Sequence, residues 1–286
     1  MYKVGISIGA GSFNESYFEN FVKSGAYGIE MSINHPVHRF IDYKAIKKFT
    51  DSYGVKMCSV HLPFSNIKTL DLASLDAELR EHTVETQVEN IKKGLDIGVE
   101  KFVVHPSSEP VSEDPETRAE QMKCAKDSLS RLADTAEIGN AVIAVENLPR
   151  TCLGRNADEM LDLTEDTRLR ICFDTNHLLM EGHVEFIEKI VHKTVTLHVS
   201  DYDFLNERHW LPGEGKINWN EVYSTLVKCG YSGVWMYEVT SGSSNTITRE
   251  RALLPEDYVR NATEIFEGLE LTKRGITVEG LKAWRS

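Results

Sequence analysis

Short apolar runs recur along the chain, each followed by a charged or polar residue and then by a longer stretch with helical spacing. The runs are Val4–Ile8, Gly28–Met31, Val55–Val60, Lys101–Val104, Ala141–Val145, Leu169–Phe173, Thr194–Val199 and Gly233–Val239. They are brief, rich in Val and Ile, and mostly without alternation. That pattern predicts strands buried on both faces of a parallel sheet. Between them the apolar positions follow a helical period, as in Tyr17, Phe18, Phe21 and Val22, or Val84, Val88, Ile91 and Leu95. Gly25, Gly54, Gly98, Gly139 and Gly230 each close such a stretch just before the next run, where a helix C-terminus favours glycine.

The alternation predicts βα units joined by right-handed crossovers. Eight candidate strands at roughly 30 residues per unit match an α/β fold of the (β/α)8 TIM-barrel kind. A doubly wound sheet normally has fewer strands and a phosphate loop after the first. Here that turn reads Gly9-Ala10-Gly11-Ser12-Phe13-Asn14, so the third glycine of a dinucleotide fingerprint is missing. No composition break divides the chain. Residues 1–270 are read as one barrel domain, and 271–286 as a polar C-terminal appendage that would form a last helix.

The strand ends carry the chemistry. They offer Glu30, His61, His105, Glu146, Asp174 with His177, His198 with Asp201, and Glu238. One charge at a strand end more often caps a helix or sits in a solvated loop. Seven consecutive ends bearing His, Asp or Glu are different, because a parallel barrel opens all of them on one mouth. Buried carboxylates and imidazoles crowded there need a neutralising cation. Glu146, Asp174, His198 and Glu238 come from four consecutive strands. Their mixed oxygen and nitrogen donors suit Mn2+, Mg2+, Co2+ or Zn2+, without choosing among them. The loop Glu207-Arg208-His209-Trp210-Leu211-Pro212-Gly213-Glu214-Gly215 would bring an Arg and a His toward the same mouth. Its Pro-Gly-x-Gly segment is equally a plain turn.

Composition narrows the partners. The chain has 286 residues and a formal net charge of −12, which disfavours a broad nucleic-acid footprint but leaves room for a local basic stripe. Mean hydropathy is −0.31, and no apolar run reaches the roughly 20 residues of a membrane span. The five cysteines include no C-x-x-C pair, so reduced thiols in a cytoplasmic protein are expected.

Taken in order, His61-Leu62-Pro63, His105-Pro106, Glu146-Asn147, Asp174-Thr175-Asn176-His177, His198-Val199-Ser200-Asp201 and Pro212-Gly213-Glu214-Gly215 resemble the xylose-isomerase-like TIM-barrel superfamily. That superfamily contains ketose 3-epimerases, other sugar isomerases and type IV apurinic endonucleases. The resemblance implies a divalent ion on Glu146, Asp174, His198 and Glu238, with Glu146 and Glu238 doubling as the acid/base pair. It implies that His61, His105, His177, Arg208 and His209 contact a sugar or sugar phosphate, and that the chain forms a homo-oligomer.

The chain departs from the epimerase pattern at His209, where such enzymes typically carry arginine. The endonuclease branch has Asp-Arg-His where this chain has Glu207-Arg208-His209. His61, His105, His177, Glu207 and His209 would then supply a second and third metal, giving a zinc phosphodiesterase of abasic DNA as the alternative. Asn176, Ser200 and the stretch Pro63-Phe64-Ser65-Asn66 depart from that branch.

Weaker candidates remain. The loop Thr240-Ser241-Gly242-Ser243-Ser244-Asn245 could hold phosphate, though a solvated loop is the plainer reading. Phe13, Phe64, Trp210 and Trp219 could wall the sugar, and His35 and His38 could reach the mouth.

Overall fold

The strands form where Val, Ile and Phe cluster, and a computed structural model describing residues 1–64 and 69–285 gives their bounds. β1 (Val4–Gly9) leads into α1 (Glu15–Ser24), β2 (Gly28–Asn34) into α2 (Tyr43–Ser52), and β3 (Lys56–Phe64) toward α3 (Ala77–Leu95). β4 (Lys101–Val104) and α4 (Pro115–Glu137) follow, then β5 (Val142–Glu146) and α5 (Ala157–Leu163). β6 (Arg170–Asp174) precedes α6 (His183–Ile190), and β7 (Thr194–His198) precedes α7 (Trp219–Lys228). After β8 (Trp235–Tyr237), a short β9 (Ile247–Thr248) precedes α8 (Pro255–Phe266) and pairs antiparallel with β10 (Ile276–Thr277).

Among the described residues, eight strands pair in parallel in the order β7-β6-β5-β4-β3-β2-β1-β8. The two ends of this sheet meet at a parallel bridge between Val199 and Tyr237. There the Val199 amide donates to the Met236 carbonyl at 2.8 Å, and the Glu238 amide donates to the Val199 carbonyl at 3.2 Å. The result is a single (β/α)8 barrel. Phe18, Phe21, Ile91, Leu129, Phe186 and Leu226 pack the helices onto the sheet, and Val103, Ala144 and Cys172 fill part of the barrel interior. Each such large apolar side chain contributes roughly 1.5–3 kcal/mol on burial.

Local chemistry sets the helix ends. Asn14, Asp42, Asp76, Asp114 and Asn156 each accept a hydrogen bond from a first-turn amide, satisfying donors that the helix itself leaves open. Gly25, Gly54, Gly98 and Gly230 take positive φ near the helix C-termini, as their positions predict. Gly139 does not. Asn140 adopts the left-handed conformation instead, at φ 54. Gly139 is small for another reason: a Cβ there would collide with the Leu95 side chain.

The expected last helix in the appendage is absent among the described residues. The segment forms β10 and then runs back over the β7–α7 loop, where the Trp284 amide donates to the Leu205 carbonyl at 3.1 Å.

One buried group links the scaffold to pH. His183 opens α6, and its Nε2–H donates to the Thr175 carbonyl at 2.7 Å, just beyond the end of β6. Burial pushes its pKa down from 6.5 to about 4. Between these values the unfolded chain binds the extra proton, so this group's contribution to stability is lost as pH falls from 6.5 toward 4. Between pH 7 and pH 5 the loss should be about 2 kcal/mol. His183→Gln keeps a donor for Thr175 and should reduce the pH dependence by that amount, read by urea unfolding at both pH values. Equal losses in the two proteins would show that His183 is not the acid-sensitive group.

Candidate active site

Parallel register brings the charged strand ends together. Cys172 of β6 sits beside Glu146 of β5, and Asp174 of β6 sits beside His198 of β7. Glu238 follows β8 directly, held by the bond that closes the barrel. Ligand atoms of Glu146, Asp174, His198 and Glu238 all lie within 4.8 Å of one another. The Nδ1 of His198 stands 3.1 Å from a Glu146 oxygen, 3.3 Å from Glu238 Oε2 and 3.9 Å from Asp174 Oδ2.

The other nitrogen of that ring is also engaged. Nε2 of His198 lies 2.9 Å from Glu30 Oε1. Glu30 is fully buried on β2, in register with Ser7 of β1, and Ser59 lies across from it on β3. The two hydroxyls donate to its carboxylate at 3.0 and 2.7 Å. Glu30 thus orients His198 so that Nδ1 faces the carboxylate cluster. The sequence placed Glu30 at a strand end but gave it no role; the signal was Ser7, Glu30 and Ser59 at matching depths in neighbouring strands.

The donor set fits a cation. Asp174 Oδ2 is buried without a hydrogen-bond partner. Burial, reinforced by the charges of Glu146 and Glu238, pushes the Asp174 pKa up to about 7. Burial would also raise Glu146, but His198 and His105 hold it well below the usual carboxylate range. Burial opposes a charge on His177, yet Asp174 and Glu207 push it up to about 10. Protonated imidazoles here occupy the electrostatic place that a bound cation takes.

Two further donor groups adjoin the first. His61 Nε2 and His105 Nε2 lie 3.0 and 3.3 Å from the same Glu146 oxygen. His177 Nε2 lies 3.4 Å from Glu207 Oε2, and the rings of His177 and His209 meet edge to face with centroids 5.6 Å apart. The sets His61–His105–Glu146 and His177–Glu207–His209 each gather within 4.8 Å. Glu146, Glu238 and these four histidines line a cavity of about 400 Å3.

Other expected residues lie elsewhere. Arg208 is not brought to the cavity: its Nε donates to Asp203 Oδ2 at 2.9 Å, and another guanidinium nitrogen donates to the Lys282 carbonyl. Asp201 does not join the carboxylates either. It accepts the amides of Tyr202, Gly213 and Ile217 and the Trp219 indole N–H, organising the loop after β7. Gly215 must be glycine, since a Cβ would run into the Asp201 carboxylate and the Tyr202 carbonyl. Of the four aromatic candidates, Phe64 lines the cavity, its ring 4.8 Å from His61 and 5.1 Å from His105. Phe13 stacks on Phe18, Trp210 donates to Thr246, and Trp219 is bound to Asp201. His35 and His38 contact each other, and the Thr240–Asn245 loop does not line the cavity. Ser65 and Asn66 lie outside the described residues. Arg150 lines the cavity without having been singled out for substrate; its guanidinium is 2.7 Å from Glu109 and 3.1 Å from Glu207.

Comparison with known proteins bears on the family and the fold. The family described as Xylose isomerase-like TIM barrel matches residues 18–269. An uncharacterized protein of Methanocaldococcus jannaschii is 31% identical over 206 residues, covering 67% of each chain. A probable endonuclease 4 of Thermoplasma acidophilum is 26% identical, over 61% of this chain and 64% of its own length. The fructoselysine 3-epimerase of Escherichia coli O157:H7 is 29% identical over 46% of this chain and 53% of its own. The solved structure of a D-tagatose 3-epimerase-like protein superposes with a TM-score of 0.75 at 23% identity, over 94% of this chain and 98% of that one.

The role of Glu30 is open to a direct check. Glu30→Gln keeps the shape but removes the charge that faces His198, so the metal-free protein should lose about 1.5–3 kcal/mol. Chemical unfolding at neutral pH measures this, and an unchanged midpoint would mean that the bond contributes nothing.

Proposed function

The chain belongs to the xylose isomerase-like TIM barrel family, and on that premise we propose that it is a divalent-metal-dependent isomerase or epimerase of a sugar or sugar phosphate. The observation that carries this reading is the quartet of buried Glu146, Asp174 and His198 with the half-buried Glu238, beside a cavity of about 400 Å3, with one Asp174 oxygen left without a hydrogen-bond partner. That volume is on the scale of a small-molecule pocket, roughly 300–1,000 Å3. The quartet would hold Mn2+, Mg2+, Co2+ or Zn2+. A bound ion supplies positive charge where a substrate oxygen becomes negative.

The protein's own groups do the rest. Loss of a proton from the carbon beside a carbonyl gives an enediolate, and its return on the other side or at the neighbouring carbon completes epimerisation or isomerisation. Glu146 and Glu238 are the acid/base pair, and both line the cavity. The ionised one takes the proton, and the other, entering the cycle protonated, returns one on the opposite face. Burial favours the neutral form of each, and neighbouring imidazoles favour the ionised form. His61, His105, His177 and His209 offer ring nitrogens to the substrate's oxygens. Phe64 supplies an apolar wall. Free thiols, and the absence among the described residues of any helix long and apolar enough to cross a membrane, suit the cytoplasmic setting that we also propose.

One observation favours a second reading. The sets His61–His105–Glu146 and His177–Glu207–His209 supplement the quartet with donors for two more ions, the composition of a trinuclear phosphodiesterase acting on abasic DNA. The rim speaks for the first reading. Arg150 is taken by Glu109 and Glu207, Arg155 by Glu113 and Glu159, and Arg208 by Asp203, so these cations are not free for a phosphate backbone.

Incubation in deuterated water with a panel of ketoses and their phosphates should label a carbon next to the carbonyl. Glu146→Gln and Glu238→Gln should each cut that exchange by about 100- to 10,000-fold with the fold intact. No labelling across the panel would overturn the isomerase reading. Three zinc ions per chain by elemental analysis, together with nicking of abasic duplex, would establish the second one.

A further inference from the structure

We propose that Asn176 is a positioning residue: its side-chain oxygen pins the backbone of Arg208 and His209, and so aims Glu207 and His209 at His177. Asn176 is fully buried in the turn between Asp174 and His177. Its Oδ1 accepts the Arg208 amide at 2.8 Å and the His209 amide at 3.2 Å. One acceptor therefore ties the turn after β6 to the loop after β7. The flanking residues on the first side are Asp174 and His177; those on the second are Glu207 and His209.

The backbone needs such a pin. His209 is held at φ 52, a left-handed conformation that a non-glycine residue keeps only when its surroundings impose it. The left-handed step lets the chain turn at His209 so that its ring meets the His177 ring, while Glu207 Oε2 comes within 3.4 Å of His177 Nε2. Asn176 supplies this restraint through two adjacent amides at the site of the strain.

The chemistry of the side chain supports a role as acceptor. Asn176 Nδ2 is buried with no hydrogen-bond partner, so the amide is retained for its oxygen despite an unsatisfied donor. A carboxylate would spare that donor, but it would add a further negative charge between Asp174 and Glu207.

The loop has other anchors, which separates aim from folding. Asp201 and Trp210 exchange both backbone bonds at its base, at 2.7 and 3.0 Å, and the Thr240 amide donates to the His209 carbonyl at 2.8 Å. Removing the Asn176 oxygen should leave the barrel folded and loosen the stretch between these anchors.

The consequence for ligand binding rests on the proposed metal site, whereas the pinning is read in the metal-free protein. In Asn176→Leu, hydrogen exchange at the Arg208 and His209 amides should accelerate at least tenfold while β5 and β6 amides stay protected. Asn176→Asp, which keeps an acceptor in place, should retain protection within about threefold of wild type. A zinc titration with a competing chromophoric chelator supplies the second readout. His209→Ala should identify the zinc held by His177, Glu207 and His209, and Asn176→Leu should weaken that equivalent by about 10- to 100-fold, as loss of an orienting bond around a ligand does. The double variant should be no weaker than His209→Ala alone. Unchanged amide protection in Asn176→Leu would overturn the pinning. Lost protection with undiminished zinc affinity would overturn the positioning role. Wild-type protein with no zinc sensitive to His209→Ala would instead remove this metal set, while amide exchange still decides the part played by Asn176.

Discussion

His198 stands between two carboxylates, with Glu30 on one ring nitrogen and Glu146 on the other, and both acids are buried. In that setting a lone charge is costly, and each group is tolerable only because the next one answers it. The chain of answers begins with the Ser7 and Ser59 hydroxyls on Glu30 and passes through His198 to Glu146. It then reaches His61 and His105 on one side and His177 and Glu207 on the other. Parallel register makes the chain continuous, because it sets the strand ends at one depth. A slip of one residue in β6 or β7 would turn Asp174 or His198 out of the interior. The electrostatic arrangement and the strand pairing therefore specify each other.

The loops divide the remaining work. Asp201 gathers three amides and an indole into one buried nest, which fixes where the chain leaves β7 and where it resumes at α7. Glu214 forms a two-pronged buried pair with Arg249, tying the same loop to the segment after β8. With its outer portion secured, the inner portion carries Glu207 and His209 to the mouth. Sequence motifs that look alike as strings thus serve different ends: the Pro-Gly-x-Gly segment shapes the loop, and the preceding Glu-Arg-His run divides, with Glu207 and His209 at the cavity and Arg208 turned toward Asp203.

Much of this was legible in the sequence, for a physical reason. Strands buried on both faces leave runs of Val and Ile that few other elements produce, and a charge closing each run is conspicuous against them. That is why the barrel, and the acids and histidines that its strand ends bring to one mouth, could be read from residue order. Roles that depend on partners distant in sequence could not. Glu30 looked like any strand-end acid until its register with Ser7 and Ser59 was known. Arg208 and Asp201 carried the right chemistry, but Asp203 and a set of backbone amides claim them. Gly139 and Asn140 show the same limit locally: Asn140 takes the left-handed step, while Gly139 is small because the Leu95 side chain packs against it. The C-terminal segment was expected to be helical, and its extended form depends on the partner strand β9 and the carbonyl of Leu205.

Charge then bears on which substrates the mouth can accept. Glu30, Glu146, Asp174, Glu207 and Glu238 concentrate a notable share of the chain's acidity in a small volume, within a protein whose formal charge is already −12. Arg150 is the cavity's one Lys or Arg among the described residues, and it is committed to Glu109 and Glu207. Within the protein these acids are balanced by the histidines, by Arg150 on Glu207 and by the raised pKa of Asp174, which leaves no surplus positive charge for a phosphate. A neutral ketose meets no such barrier, because its hydroxyls and carbonyl bond to imidazoles and carboxylates alike. An anionic substrate, whether a sugar phosphate or a nucleic acid backbone, would need cations bound at the mouth beforehand. If the quartet and the flanking sets hold ions as proposed, their number would decide whether an anion can enter, and metal content and substrate class would be a single question for this barrel.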